Sequence, residues 1–285
     1  MAQFTNQAQL SYNNSVVNSN IAVGEILEVL SATKTAVMDD YTRTDDVTYV
    51  ISVINSGSTA VTGLSISDNL GAYAFGTETL YPLSYVEGSA RVYINGVLQQ
   101  AAPTVEAGPP LVFSGINLPA NSNLILIYEA DVTRFAPLDV GDSIVNVATV
   151  NGAGLPSTVT ITATVTPEAE PELTITKSIE PVPVTENGTL TYRFIIQNFG
   201  NTAADVGDNV AVTDLFDPIL GNLSVTFNGA AWSEGTEYNY TATSGLFTTV
   251  PGQITVPAAT YTQDPETGAW IVTPGVSTLV VIGTV

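Results

Sequence analysis

The chain has 285 residues, 45% of them hydrophobic, with six Lys and Arg against 27 Asp and Glu. A net charge of −21 argues against nucleic acid or an anionic membrane as a partner, and the apolar content argues against a disordered acidic tail. Cys and His are both absent, which removes disulfides, thiolate catalysis, the Ser-His-Asp triad and the common zinc sites.

No apolar run reaches the length a bilayer needs, so no membrane insertion is expected. No spaced Asp-x-Asp-x-Asp-Gly loop is present, so calcium has no recognisable site, and neither a metal nor any other cofactor is expected. Without the usual catalytic residues an enzyme is not expected either.

In chain order, MAQFTNQAQL comes first. It has no basic or apolar leader pattern, so no export signal is visible. FTNQAQLSY alternates like a β-strand with no hairpin partner behind it. Set on IVNVATV at residues 144–150, it shares Asn-x-Ala, with Asn6 on Asn146. The opening strand reads as a copy of the last strand of an internal domain. Phe4, Asn6, Ala8 and Leu10 form its alternate face, and the stretch from Phe4 through Gly24 parallels Ile144 to Val165.

Further strand-like runs follow: VTYVISVIN, GLSISDNL, RVYINGVLQ, LILIYEADV, SIVNVATV and STVTITATV. Asn95-Gly96 and Asn228-Gly229 sit between alternating residues, a strong hairpin signal. Helix signals are scarce. The expected fold is all-β, two tandem Ig-like antiparallel β-sandwiches behind an N-terminal donor strand.

The two sandwiches are copies. SATKTAV matches TITKSIE, with Lys34 on Lys177, and TYVISVINSG matches TYRFIIQNFG, with Tyr49 on Tyr192 and Asn55 on Asn198. LSISDNL matches VAVTDLF, with Asp68 on Asp214, and VYINGVL matches VTFNGAA. INLPANSNLILIYEADV resembles the pieces ITVPAAT and STLVVIGTV. Each unit is about 140 residues, an ordinary domain size. The boundary falls in TVTPEAEPEL, a stiff and solvated connection. The expected divisions are an arm at 1–24, a complete sandwich at 25–165 and a second sandwich at 166–285.

Copy two has no equivalent of SIVNVATV. A sandwich lacking that strand exposes unpaired backbone groups and an apolar groove, and the arm is a lone strand that cannot bury its apolar face. Each defect repairs the other if the arm of one subunit completes the second sandwich of the next, giving an open head-to-tail polymer of identical subunits. The alternatives are an arm that folds back onto its own chain and one that is merely frayed.

These motifs carry a resemblance. A Lys on the first strand (ATKTA, ITKSI), the TYxxxxxNxG pattern, an Asp ending a middle strand (SISD, AVTD) and Asn-x-Ala on the last strand resemble the domain-of-unknown-function-eleven repeat. Such repeats stud surface proteins of Gram-positive bacteria and archaea. The placement also resembles CnaA-type collagen-adhesin stalk domains, where a Lys amine condenses with an Asn side chain into an isopeptide bond while an acidic residue assists. The resemblance implies an extracellular appendage on a cell or spore surface. It implies an intramolecular Lys34–Asn146 bond assisted by Asp68. It also implies an intermolecular Lys177–Asn6 bond assisted by Asp214, since copy two has no Asn of its own at that strand.

The chemistry is reasonable on physical grounds. Burial disfavours the charged forms of an amine and a carboxyl, a neutral acid can shuttle protons, and fixed strands hold the reactants together. The chain's only two lysines both occupy the matched position.

Two other readings are open. Trp232, Trp270 and the twelve tyrosines could make a stalk or adhesin binding a host glycan or protein, although aromatics in a sandwich are more often core. Glu234 and Glu237 are a carboxylate pair of the kind a polysaccharide-active enzyme needs, with nothing beyond proximity to mark them.

Overall fold

The computed structural model describes residues 2–26, 28–153, 155 and 157–285. Among these the regular structure is β-strand throughout, apart from one 3-10 turn at Val206–Asp208. No helix among them is long and apolar enough to cross a membrane. The chain forms two compact units meeting at Thr166 and Pro167, with Leu138–Asp142 grouped with the second.

The first unit is a sandwich of two antiparallel sheets. One runs, in spatial order, Val97–Leu98, Arg91–Ile94, Ser122–Val132, Asp46–Asn55 and Leu30–Ala36, and Leu83–Tyr85 also pairs with Ser122–Val132. The other runs Thr104–Glu106, Leu111–Leu118, Val61–Asp68, Ile144–Asn151, Val159–Pro167 and Asp40–Tyr41. Strand periodicity builds the core. Along Asp46–Asn55, Val47, Tyr49, Ile51 and Val53 are all fully buried, because successive side chains point to opposite faces. Each such side chain contributes about 1.5–3 kcal/mol through burial.

Two asparagine devices recur in both units. Asn95-Gly96 and Asn228-Gly229 turn with positive φ at both residues, the requirement of a type I′ hairpin that Asn and Gly meet most cheaply. Asn55 and Asn198 are wholly buried. Asn55 donates to the carbonyls of Thr59 and Pro119 at 2.9 Å and accepts from the Gly57 amide. Asn198 donates to Thr202 and Pro257 and accepts from Gly200. The asparagine in TYxxxxxNxG is therefore a clamp on the following loop, where backbone groups lack ladder partners.

The second unit keeps one sheet whole: Leu173–Glu180, Thr189–Asn198, Gly275–Thr284, Gly221–Phe227 and Ala230–Trp232. Its facing sheet has three strands, Thr213–Leu215, Leu246–Thr249 and Tyr238–Thr241. Among the described residues nothing occupies the places that Ile144–Asn151 and Val159–Pro167 take in the first unit. Val61–Asp68 is eight residues long, with Leu111–Leu118 on one side and Ile144–Asn151 on the other. Its counterpart Thr213–Leu215 has three residues and, among the described residues, pairs with Leu246–Thr249 alone. VAVTDLF thus reads as a long strand but forms a short one, because the second neighbour is missing. ITVPAAT likewise is mostly loop, joined to the fold by the Ala204–Val256 bridge.

The arm corrects one expectation. It is not a lone strand. Ala2–Asn6 pairs with Ala22–Ile26, and Gln9–Tyr12 pairs with Ser15–Asn18. Asn13 and Asn14, at φ 44° and 63°, make the turn. Between the paired stretches the Ser19 amide donates to the Ala8 carbonyl at 2.8 Å. The hairpin's side chains are almost all exposed, including Phe4, Leu10, Val17 and Val23.

Candidate functional site

Lys34 lies on the edge strand Leu30–Ala36 and points inward, 5% exposed. Asp68 ends Val61–Asp68 on the opposite sheet, and Asn146 lies on the strand beside it, where Ala148 faces Asp68 across the ladder. Asp68 and Asn146 are both wholly buried. Lys34 Nζ donates to Asp68 Oδ2 at 2.6 Å and to the Asn146 backbone carbonyl at 3.2 Å. The three residues expected together are brought together.

Two tyrosines complete the site. Tyr128, from Ser122–Val132, donates its hydroxyl to the same Asp68 Oδ2 at 2.5 Å and accepts from Asn146 Nδ2 at 3.4 Å. Its ring stacks on Tyr49, with centroids 5.5 Å apart, and Lys34 Nζ sits 4.7 Å from the centre of the Tyr49 ring. Asp68 Oδ1 is held separately by the Leu70 amide. An unbroken hydrogen-bonded path therefore runs from the lysine amine through the carboxylate and the phenol to the amide nitrogen. Among the described residues neither Asn146 Oδ1 nor the Tyr49 hydroxyl has a hydrogen-bond partner.

Burial sets the electrostatics. It pulls the Lys34 amine down to about 8, against the opposing pull of Asp68. It pushes the Tyr128 hydroxyl well up, and the Asp68 charge and hydrogen bond add to that rise. Burial also pushes Tyr49 up. The site thus eases the amine toward its neutral, nucleophilic form while keeping both phenols protonated.

Tyr128 escaped the sequence reading. The available signal was its inward place in the alternation LILIYEADV, since a buried phenol needs a partner. The copy comparison hid it, because ladder position puts Val281 opposite Tyr192 where Tyr128 stands opposite Tyr49.

The second unit assembles half of this site. Lys177 forms an ion pair with Asp214 Oδ2. The amine rests over the Tyr192 ring at 4.4 Å and near those of Phe194 and Phe216. Here the lysine side chain is 39% exposed, against 0% for Lys34. The inward face of its strand, Ile175 and Ile179 included, is open to solvent. Asn6 lies on the exposed hairpin opposite Ala22, just as Asn146 lies opposite Ala163.

The other candidates have structural places. Trp232 is half-buried and packs on Phe227 at 5.0 Å, and Trp270 lies half-buried on a separate two-stranded sheet. Glu237 accepts from the Ser233 amide at 2.7 Å, and Glu234 bridges to Tyr238, so both belong to a turn. No group of three or more acidic residues able to hold a metal ion occurs among the described residues.

No family model and no curated protein matches the chain. Among solved structures it is similar to the major pilin subunit of Bacillus cereus, at 11% identity and TM-score 0.39, over 96% of this chain and 73% of that one. It is similar to the pilus backbone of Streptococcus pneumoniae at 12% identity and TM-score 0.36. That match covers 86% of this chain and spans 55% of the pneumococcal chain. It is also similar to a collagen-binding subdomain of an Enterococcus faecalis surface protein, at 10% identity and TM-score 0.32, over 50% of this chain and 99% of that one.

Proposed function

We propose that the chain is the structural subunit of an extracellular filament of the kind that domain-of-unknown-function-eleven and CnaA-like surface proteins would build. Copies join head to tail, the arm of one completing the second sandwich of the next. One contrast carries this reading: Lys34, Asp68 and Asn146 meet in a closed core, whereas Lys177 and Asp214 wait in an open one without an amide.

Within the first unit the amine and amide condense. Lys34 gives a proton to Asp68, and its freed nitrogen attacks the Asn146 side-chain carbon. The bond to Nδ2 breaks, and that nitrogen leaves as ammonia, taking a proton passed from Asp68 through the Tyr128 hydroxyl. The second proton of the attacking nitrogen replaces it on Asp68, so one amide, one ammonia and one protonated carboxyl result. Between subunits Lys177 reacts with Asn6 beside Asp214 once docking removes water from the groove. Val281 stands at the ladder position of Tyr128, so Asp214 itself takes the proton from the attacking nitrogen and gives one to the leaving ammonia.

The test is to boil purified protein in SDS, separate it on a denaturing gel and weigh each band intact. The monomer is 29.8 kDa. The expected result is a ladder of its multiples, each bond marked by the loss of about 17 Da, one ammonia. A monomer at full mass would sink both bonds. A monomer short of two ammonias would mean that the arm closes its own chain.

A further inference from the structure

We infer that the element donated between subunits is the whole hairpin of residues 2–26 and that it fills two strand positions, not one. The inference rests on the filament reading and specifies its interface. In the first unit, the strands facing Lys34's sheet beyond Val61–Asp68 are a hairpin, Ile144–Asn151 with Val159–Pro167. Both places are empty in the second unit among the described residues. Strands in a sheet lie about 4.8 Å apart, so one incoming strand spans only half of a gap about 10 Å wide. It would leave the inward face of Leu173–Glu180 wet.

The register supports a hairpin donor. Ile144 pairs with Val165 and Asn146 with Ala163. On the arm, Phe4 pairs with Gly24 and Asn6 with Ala22. The reactive asparagine therefore carries an alanine beside it in both hairpins.

Side-chain volume differs between the two interfaces on both sides. The acceptor strand has Ile175 and Ile179 where the Lys34 strand has Ala32 and Ala36. The arm has Gly24 where the first unit has Val165. The Phe4 ring lies over Gly24, 2.3 Å from where a Cβ would stand, so a side chain there would have to displace that ring. Phe4 stands where the first unit has Ile144 and its ring covers Gly24, so on the arm the bulk moves from the second strand to the first. The outer edge of Thr213–Leu215 offers its unpaired backbone groups to the first arm strand, as Val61–Asp68 does to Ile144–Asn151.

The occupant is a second copy of this chain, and charge substitutions on the hairpin test it. Ala22 lies opposite Asn6 in the face that would be buried, Ala8 lies two residues past Asn6 in the join between the paired stretches, and Val23, opposite Thr5, points the other way. In the full-length protein, A8D and A22D are each expected to abolish the ladder above monomer, and V23D to leave it intact. Filaments of the parent protein should also slow amide hydrogen exchange over residues 15–26 at least tenfold relative to the A8D monomer. If A8D abolishes the ladder while A22D does not, and exchange over 15–26 is unchanged, the donor is a single strand and the hairpin inference fails. If neither substitution affects assembly, the donor reading itself falls.

Discussion

The two lysines of this chain sit at the same ladder position in two copies of one design, yet one is sealed and the other is half in water. The difference lies in the strands that cover them, because the residues immediately around each amine are alike: an inward Lys, an Asp across the core and an aromatic ring beneath. A closed Lys-Asp-Asn cluster is therefore a property of a complete sandwich, and in the proposed filament the missing hairpin would divide that cluster between two subunits.

Several substitutions would break or sharpen this contrast. N6A should have the largest effect, collapsing the SDS-resistant ladder to monomer while the first unit still loses its ammonia, as intact mass would show. N146A should act in the opposite place, leaving the ladder and removing the internal bond. That bond would close a loop of 112 residues, so its loss should destabilise the first unit by about 4–5 kcal/mol on the chain-entropy account, measurable by denaturant unfolding.

The N146A protein also allows a test against pH. Its Lys34 would remain buried with a folded-state value below that of the unfolded chain, so the unfolded state binds more protons between about 8 and the ordinary lysine range. Stability should rise over that window, by about 2 kcal/mol between pH 8 and 10. Above that, ionisation of the raised tyrosines in the unfolded chain works against it. A flat profile would mean that the folded amine is not depressed.

Y128F separates the relay from the packing. It should leave a measurable fraction of first-unit chains at full mass, whereas Y49F, which removes a hydroxyl without a hydrogen bond, should not. The smallest effect concerns the open edge. I175S should change the stability of the unassembled second unit by less than about 0.5 kcal/mol, since that residue is already exposed.

Much of this was legible in the residues. Alternation in VTYVISVIN, LILIYEADV and SIVNVATV specified strands because each has one buried face, and repeat matching placed Lys34, Asp68 and Asn146 in register without knowledge of the fold. Two features were not legible. The shortness of Thr213–Leu215 depends on a missing neighbour, which local propensity does not register. Tyr128 lies where the copies differ, so comparison of the copies passed over it. The arm's turn was available, since Asn13-Asn14 tolerates the left-handed conformation that a type I′ hairpin needs, but it carries no glycine to announce it.

In the proposed filament the exposed hairpin would have a further consequence for how subunits meet. Residues 1–24 contain no charged side chain, in a chain whose net charge is −21. Two such bodies repel over distances that salt shortens to about 8 Å at physiological ionic strength. The arm can cross that zone without adding to the repulsion. Elongation should therefore accelerate with added salt, because salt eases the encounter of the acidic bodies while the hairpin, whose one charged side chain is Glu25, has little ionic contact to lose.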